Sequence, residues 1–193
     1  KQFIPGGVQH NLALNYPFPL NIVKADGPYL YDIDGNRYID LLNGGGVTIL
    51  GNNYPPIREA VIRTINETGY LTGLYNEYEK ICQYYPSCQK FRMLGSGTEA
   101  VMVALRLARA FTGKDKIVKL KGCYDGWSDH IVYDVRTVNT GSSFAVGIPA
   151  DTLKNTSAVM INDIDALEQR FQENEKDGGT AALIIEPIGQ DSG

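Results

Sequence analysis

Gly95-Ser-Gly-Thr-Glu-Ala100 places two glycines and two hydroxyls in six residues, just ahead of a helix-forming stretch. Glycines let the backbone turn sharply and approach a ligand closely. A helix start offers N–H groups without intrahelical partners and the positive end of the helix dipole. With the hydroxyls of Ser96 and Thr98 added, the chemistry of the segment is phosphate binding. An ordinary capped helix uses the same residues differently, with Ser96 or Thr98 as N-cap and Glu99 in the first turn. The local sequence leaves both readings open. The hexapeptide also satisfies the dinucleotide pattern G-x-G-x-x-A. That pattern expects an acidic residue about 20 positions later, where Lys119-Leu-Lys121-Gly122 stands instead. Lysines there are able to take a 2′-phosphate, so an NADP-dependent oxidoreductase stays open in weakened form. A Walker A loop is excluded, because no Gly-Lys-Ser/Thr follows.

Two further segments fall at expected strand ends, where ligands collect in parallel α/β sheets. Cys123-Tyr-Asp-Gly-Trp127 offers Tyr124 as a lid for a flat heteroaromatic ring, or as a buried core aromatic with its hydroxyl bonded. Glu186-Pro187 closes an apolar run, so Glu186 is either a site carboxylate or a solvated strand end. Other chemistries find little support. The two histidines, His10 and His130, are far apart, which argues against a metal site or a nucleophilic triad. Cys82, Cys88 and Cys123 form no paired spacing and read as reduced thiols of a cytoplasmic protein. Asp34-Gly35 lacks the remaining ligands of a calcium loop and reads as a hairpin turn.

The elements that must carry these residues alternate. Residues 1–55 read as a loop-rich segment with a short β-hairpin, Tyr29–Tyr31 and Arg37–Leu41. The remainder, 56–193, reads as the N-terminal portion of an α/β domain. A helical period starts at Ile57, with Ile57, Ala60, Val61 and Ile65 on one face, Pro56 at its first position and Gly69 as its stop. A second helical stretch, near Glu77–Tyr84, ends before Pro86. Phe91–Leu94 reads as a short strand, Glu99–Phe111 as a helix stopped by Thr112-Gly113, and Lys116–Lys121 as a strand. Ala158–Ile161 is a strand, and Asp163–Lys176 a helix with Ile164, Leu167 and Phe171 inward. Gly178-Gly179 ends that helix before the strand Ala181–Ile185. Such alternation implies a largely parallel sheet with flanking helices. The aperiodic stretch Thr137–Thr156 reads as a functional surface loop.

A net charge of -4 with scattered Lys and Arg argues against a nucleic-acid or anionic-membrane partner. No apolar run is long enough to span a membrane, and Lys1-Gln-Phe-Ile-Pro-Gly-Gly7 has no signal-peptide core.

Several separated stretches together resemble class III aminotransferases of fold type I, most closely the branch containing glutamate-1-semialdehyde aminomutase. They are Pro5-Gly-Gly-Val8, Tyr31-Asp-Ile-Asp-Gly-Asn-Arg-Tyr-Ile-Asp40, Ser96-Gly-Thr-Glu-Ala100, Arg106-Leu-Ala-Arg109 with Thr112-Gly113, Gly122-Cys-Tyr-Asp-Gly126, Gly147-Ile-Pro149, and Glu186-Pro-Ile188 with Ser192-Gly193. The resemblance implies a cofactor, pyridoxal 5′-phosphate, with Ser96, Gly97 and Thr98 on its phosphate and Tyr124 on its ring. Asp191 would lie near the ring oxygen, with Glu186 behind the ring. Gly44–Val47, and within it Gly45 and Gly46, would face substrate with Thr72-Gly73, and His10 is a further substrate candidate. The segment from about Gly126 to Thr152 would gate substrate. The family's cofactor-binding lysine and ring-nitrogen aspartate would lie past residue 193, so the chain is expected to be a fragment, inactive by itself. Homodimers, an amino donor and an oxo acceptor are implied as partners.

Three departures bear on chemistry. Gly95 stands where Asn often precedes Ser-Gly-Thr, and Asp125 stands where His is usual, adding negative charge beside the cofactor. Gln9-His-Asn-Leu-Ala13 stands where semialdehyde aminomutases carry a carboxylate-binding arginine. These departures favour an aminotransferase, or an aminomutase or racemase acting on another amino compound. A non-catalytic dimerising relative is the remaining alternative.

Overall fold

The computed structural model describes residues 19–68, 81–85, 87–132, 134–135 and 147–188. His10, Gly69, Thr72-Gly73 and Asp191 lie outside them, as do residues 137–146 of the stretch from Thr137 to Thr156 and the Pro5–Val8 match. The chain divides into two compact units, Lys1–Asn76 and Glu77–Gly193.

The first unit is built on an antiparallel sheet of β1 (Ile22–Asp26), β2 (Tyr29–Asp32) and β3 (Arg37–Ile39), in that order. Tyr29 pairs with Ile39 and Tyr31 with Arg37, which makes the hairpin expected around Asp34-Gly35. Asp32 explains the turn. Its carboxylate accepts from the Asp34 and Asn36 backbone N–H groups, the Asn36 amide at 2.9 Å and the Tyr38 hydroxyl at 2.8 Å. Asp40 acts in the same way after β3, accepting from Asn52 Nδ2 at 2.8 Å and from Asn43 N at 2.9 Å.

The Asn36 hydrogen bond, more than any other contact, holds the Asp32 carboxyl below its ordinary value. A depressed carboxylate stabilises the fold fully above its unfolded value of about 3.9 and loses that contribution as pH falls through the folded value. The Asp34 and Asn36 amides are therefore expected to stay protected from hydrogen exchange until the pH drops below the usual aspartate range. Loss of protection already at the ordinary value would show that Asp32 does not hold the turn.

Beyond β3, α1 (Asn43–Gly46) is a single turn in which Asn43, Gly44, Gly45 and Gly46 all have positive φ, between 50° and 94°. A left-handed run of this kind needs residues without a Cβ penalty, which the three glycines supply. Next, α2 (Pro55–Thr68) opens on two prolines, whose missing N–H groups matter little in a first turn. Its apolar face is the expected one, but Ile57, Val61 and Ile65 each stay more than half exposed.

In the second unit α3 (Ile81–Tyr84) precedes a stretch, 91–94, without regular structure. The strand expected at Phe91–Leu94 is absent, because no ladder partner flanks it among the described residues and Phe91 and Met93 stay exposed. A strand is defined by its neighbours, and short apolar runs are ambiguous without them. The sheet is parallel, ordered β5 (Thr156–Val159), β4 (Lys116–Leu120), β6 (Thr180–Ile184). Its centre is β4, in which Ile117, Val118 and Lys119 are all buried although successive side chains point to opposite faces. The two longer helices of this unit start and stop within about two residues of the sequence expectation, although Asp163, expected inside its helix, stands just before it. Gly113, at φ 67°, closes α4 (Gly97–Thr112), and Asp163 caps α5 (Ile164–Glu175) by accepting from Ala166 N. The expected inward face of α5 holds for Leu167 and Phe171, whereas Ile164 is exposed in its first turn. Leu105 of α4, Ile117 of β4 and Ile131 form the core, with Val101, Ala181, Ala182 and Ile184 packed on it.

Candidate phosphate-binding site

The Gly95–Ala100 turn opens α4, the helix that packs on the sheet. Ser96 is the N-cap, in extended conformation, and its Oγ accepts from Glu99 N at 3.3 Å. The same hydroxyl donates to Glu99 Oε2 at 3.3 Å. This is an N-cap with its Glu99 partner on the hydroxyl, and both contacts are long for hydrogen bonds. The Gly97 and Thr98 N–H groups have no partner among the described residues, as the first positions of a helix require. A Cβ built on Gly97 would meet nothing within 4 Å, so the backbone is uncrowded at this position. The turn thus caps the helix and still leaves two backbone donors that could meet an anion.

A second segment closes on this one. Gly126 has φ 113°, and a Cβ there would sit 3.2 Å from Thr98 Cα. Only glycine allows that approach without strain. The next residue, Trp127, donates its backbone N–H to Thr98 Oγ1 at 3.1 Å. The Gly122–Trp127 loop therefore lies against the helix start. Tyr124, 38% exposed, projects from the loop between buried Cys123 and buried Asp125, so it is not the buried core aromatic that the sequence left possible.

Glu186 follows the end of β6 and is hydrogen-bonded to the Cys123 thiol. Burial, then the nearby Glu186 and Asp125 charges, push that thiol above its ordinary value. A buried protonated thiol is a poor nucleophile, and Cys123 is structural.

Two expectations need correction. Lys119, proposed as a 2′-phosphate ligand, is wholly buried, and its Nζ lies 3.0 Å from Asp125 Oδ2. It also donates to the carbonyls of Cys123 at 2.8 Å and Ile131 at 3.2 Å. A lysine so engaged is withheld from any phosphate. Asp125, in turn, does not add negative charge to the site, because its carboxylate points inward onto that ammonium. The signal for the pair was present as a lysine inside an otherwise apolar strand, with an aspartate six residues on. Its reading needed the loop to fold back over β4.

Gly45 and Gly46 lie in the left-handed turn of the first unit. His10 and Asp191 are outside the described residues. His130 rests its Nδ1 3.2 Å from the Thr152 carbonyl, at the edge of the loop segment. The described residues contain no group of acidic, Cys or His side chains able to hold a metal ion, and no helix among them is long and apolar enough to cross a membrane.

The Aminotransferase class-III family model matches residues 12–193 of the chain. Glutamate-1-semialdehyde 2,1-aminomutase of Methanothrix thermoacetophila is 40% identical over 97% of the chain, which covers 44% of that protein. The chain thus spans less than half the length of this curated relative. Among solved structures, an omega-transaminase from Sphaerobacter thermophilus superposes with a TM-score of 0.85 at 30% identity, covering 98% of this chain and 46% of its own. A transaminase with PLP bound gives 0.87 at 27% identity, over 100% of this chain and 46% of its own.

Proposed function

The chain belongs to the class-III aminotransferase family, and on that footing we propose that it belongs to a pyridoxal-phosphate enzyme moving an amino group between an amino compound and an oxo acid or aldehyde. The observation that carries the reading is the α4 start, where the Gly97 and Thr98 N–H groups have no partner among the described residues and the Ser96 and Thr98 hydroxyls stand beside them. This donor set fits a dianionic phosphate, which the helix dipole favours further.

In this reading Ser96, Gly97 and Thr98 hold the phosphate. The Ser96 hydroxyl, 3.3 Å from Glu99 Oε2, would instead donate to a bound phosphate in a charge-assisted contact. Tyr124 covers one face of the ring and keeps water from it, and Glu186 stands at the neighbouring strand end with Asp191 as a further ring contact. Pyridoxal phosphate, when bound, supplies an aldehyde that joins amines and a ring that withdraws electrons from the substrate carbon. Gly45, Gly46 and His10 are the proposed substrate contacts, in a cytoplasmic homodimer.

A second reading, an aminomutase, is favoured by the 40% identity to glutamate-1-semialdehyde 2,1-aminomutase. Against it stands Gln9–Ala13, in place of a carboxylate-binding arginine.

Absorbance of the full-length protein tests the proposal. Pyridoxal phosphate is expected to give a visible band that borohydride abolishes, and Thr98→Val to weaken its binding about tenfold, the loss of one charge-assisted hydrogen bond. Product analysis with amino donor and oxo acceptor supplied separately then distinguishes transfer from migration. Protein that binds NADP and gives no such band would overturn the reading.

A further inference from the structure

Lys119 occupies the middle of the sheet, in a strand whose neighbouring residues Ile117 and Val118 are apolar and equally buried. An ammonium in such a place must find acceptors, and it has three donors to satisfy. The acceptors described above all come from one stretch of chain. They are the carbonyls of Cys123 and Ile131, which accept hydrogen bonds, and the Asp125 carboxylate, which faces the ammonium as an ion pair at 3.0 Å. One nitrogen therefore ties the beginning, the middle and the end of the segment 123–131 to β4.

The tie has a direction. Cys123 and Asp125 turn inward toward Lys119, so Tyr124 between them turns outward. Two residues after Asp125, the Trp127 N–H is fixed on Thr98 Oγ1, with Gly126 pressed against Thr98 Cα. Tyr124 is thus held between an ionic anchor on the sheet and a hydrogen-bonded anchor on the helix start. An apolar residue at 119 would fill the same space and leave the Cys123 and Ile131 carbonyls without this donor.

We infer that Lys119, locked by Asp125, is a positioning residue that sets the Gly122–Trp127 loop, and with it Tyr124, against the Thr98 turn. The inference rests on that turn being the phosphate site. It assigns Asp125 the task of clamping the lysine, with no direct role in the chemistry.

The test uses the full-length protein and the double variant Lys119→Met with Asp125→Leu. Replacing a buried ion pair by apolar residues of similar volume is often neutral for stability, so the fold is retained while the tether is lost. Two signals are read. The first is the 19F resonance of 5-fluorotryptophan at Trp127, which is expected to shift and narrow as the loop is released. The second is pyridoxal phosphate affinity by absorbance titration, expected to weaken about tenfold as the Tyr124 contact loosens. A urea midpoint near wild type shows that the fold is kept. If the double variant does not fold, Lys119→Gln with Asp125→Asn, which keeps polar groups at both positions and leaves no charge unpaired, is read in the same way. A folded variant in which either signal stays at its wild-type value overturns the inference. Wild-type protein that binds no pyridoxal phosphate, while the Trp127 resonance still moves in the variant, removes the proposed function and leaves the loop tether standing.

Discussion

Replacing Asp125 alone by leucine is expected to destabilise the protein by about 3–5 kcal/mol, the usual consequence of removing one partner from a buried ion pair. Lys119 is 0% exposed, and the Asp125 side chain is 3% exposed, so water cannot reach in to replace the lost carboxylate. The attraction between the two charges is not what decides the size. Their desolvation has already been compensated in the native state, and the substitution removes only the compensating half. Two carbonyls remain on the ammonium, which softens the loss without cancelling the charge. Urea unfolding followed by far-UV circular dichroism measures it. A loss below about 1 kcal/mol, the range of an exposed pair, would mean that water enters the site and that the pair is not closed.

Ile131→Ala is expected to cost about 2–5 kcal/mol, as for other wholly buried isoleucines. Its side chain is 0% exposed and joins Leu105 of α4 to Ile117 of β4. The spread depends on how far the neighbours can collapse into the space. Collapse is limited here, because the Ile131 carbonyl is held by Lys119 while its N–H donates to the Ser128 carbonyl. Backbone pinned on both sides cannot follow the shortened side chain. Thermal or urea unfolding gives the value, and an effect within about 0.5 kcal/mol of wild type would show that Ile131 does not belong to the core.

The helices were legible because their ends are written in single residues. Asp163 and Gly113 cap where a short polar side chain and a left-handed glycine must stand. The β4 and β6 strands were found within a residue because their apolar runs are bounded by turn residues. By contrast, β5 begins two residues earlier than its apolar run, since the ladder to β4 and not hydrophobicity sets where it starts. The strand expected at 91–94 failed for the same reason, as pairing is a property of two segments. Within the site, the turn was readable as a helix start capped by Ser96. Lys119 was not, because its sequence neighbours gave no sign that the carbonyls of Cys123 and Ile131 would converge on it. Charge adjacent in sequence to Tyr124 looked like charge in the site, and only the alternation of Cys123, Tyr124 and Asp125 about the loop shows that it faces away.

The order of strands also bears on how the protein is made. The central strand β4 acquires its partners from β5 and from β6, which ends about sixty residues later in the chain. At about 5–20 residues per second, ribosomal synthesis leaves β4 with both edges unpaired for several seconds. A strand carrying Ile117, Val118 and Leu120 in that condition invites pairing with other nascent chains. Lys116, Lys119 and Lys121 interrupt and flank the run, as gatekeeper charges do. The ammonium at 119 thus serves the nascent chain as a repellent before it serves the folded one as an anchor.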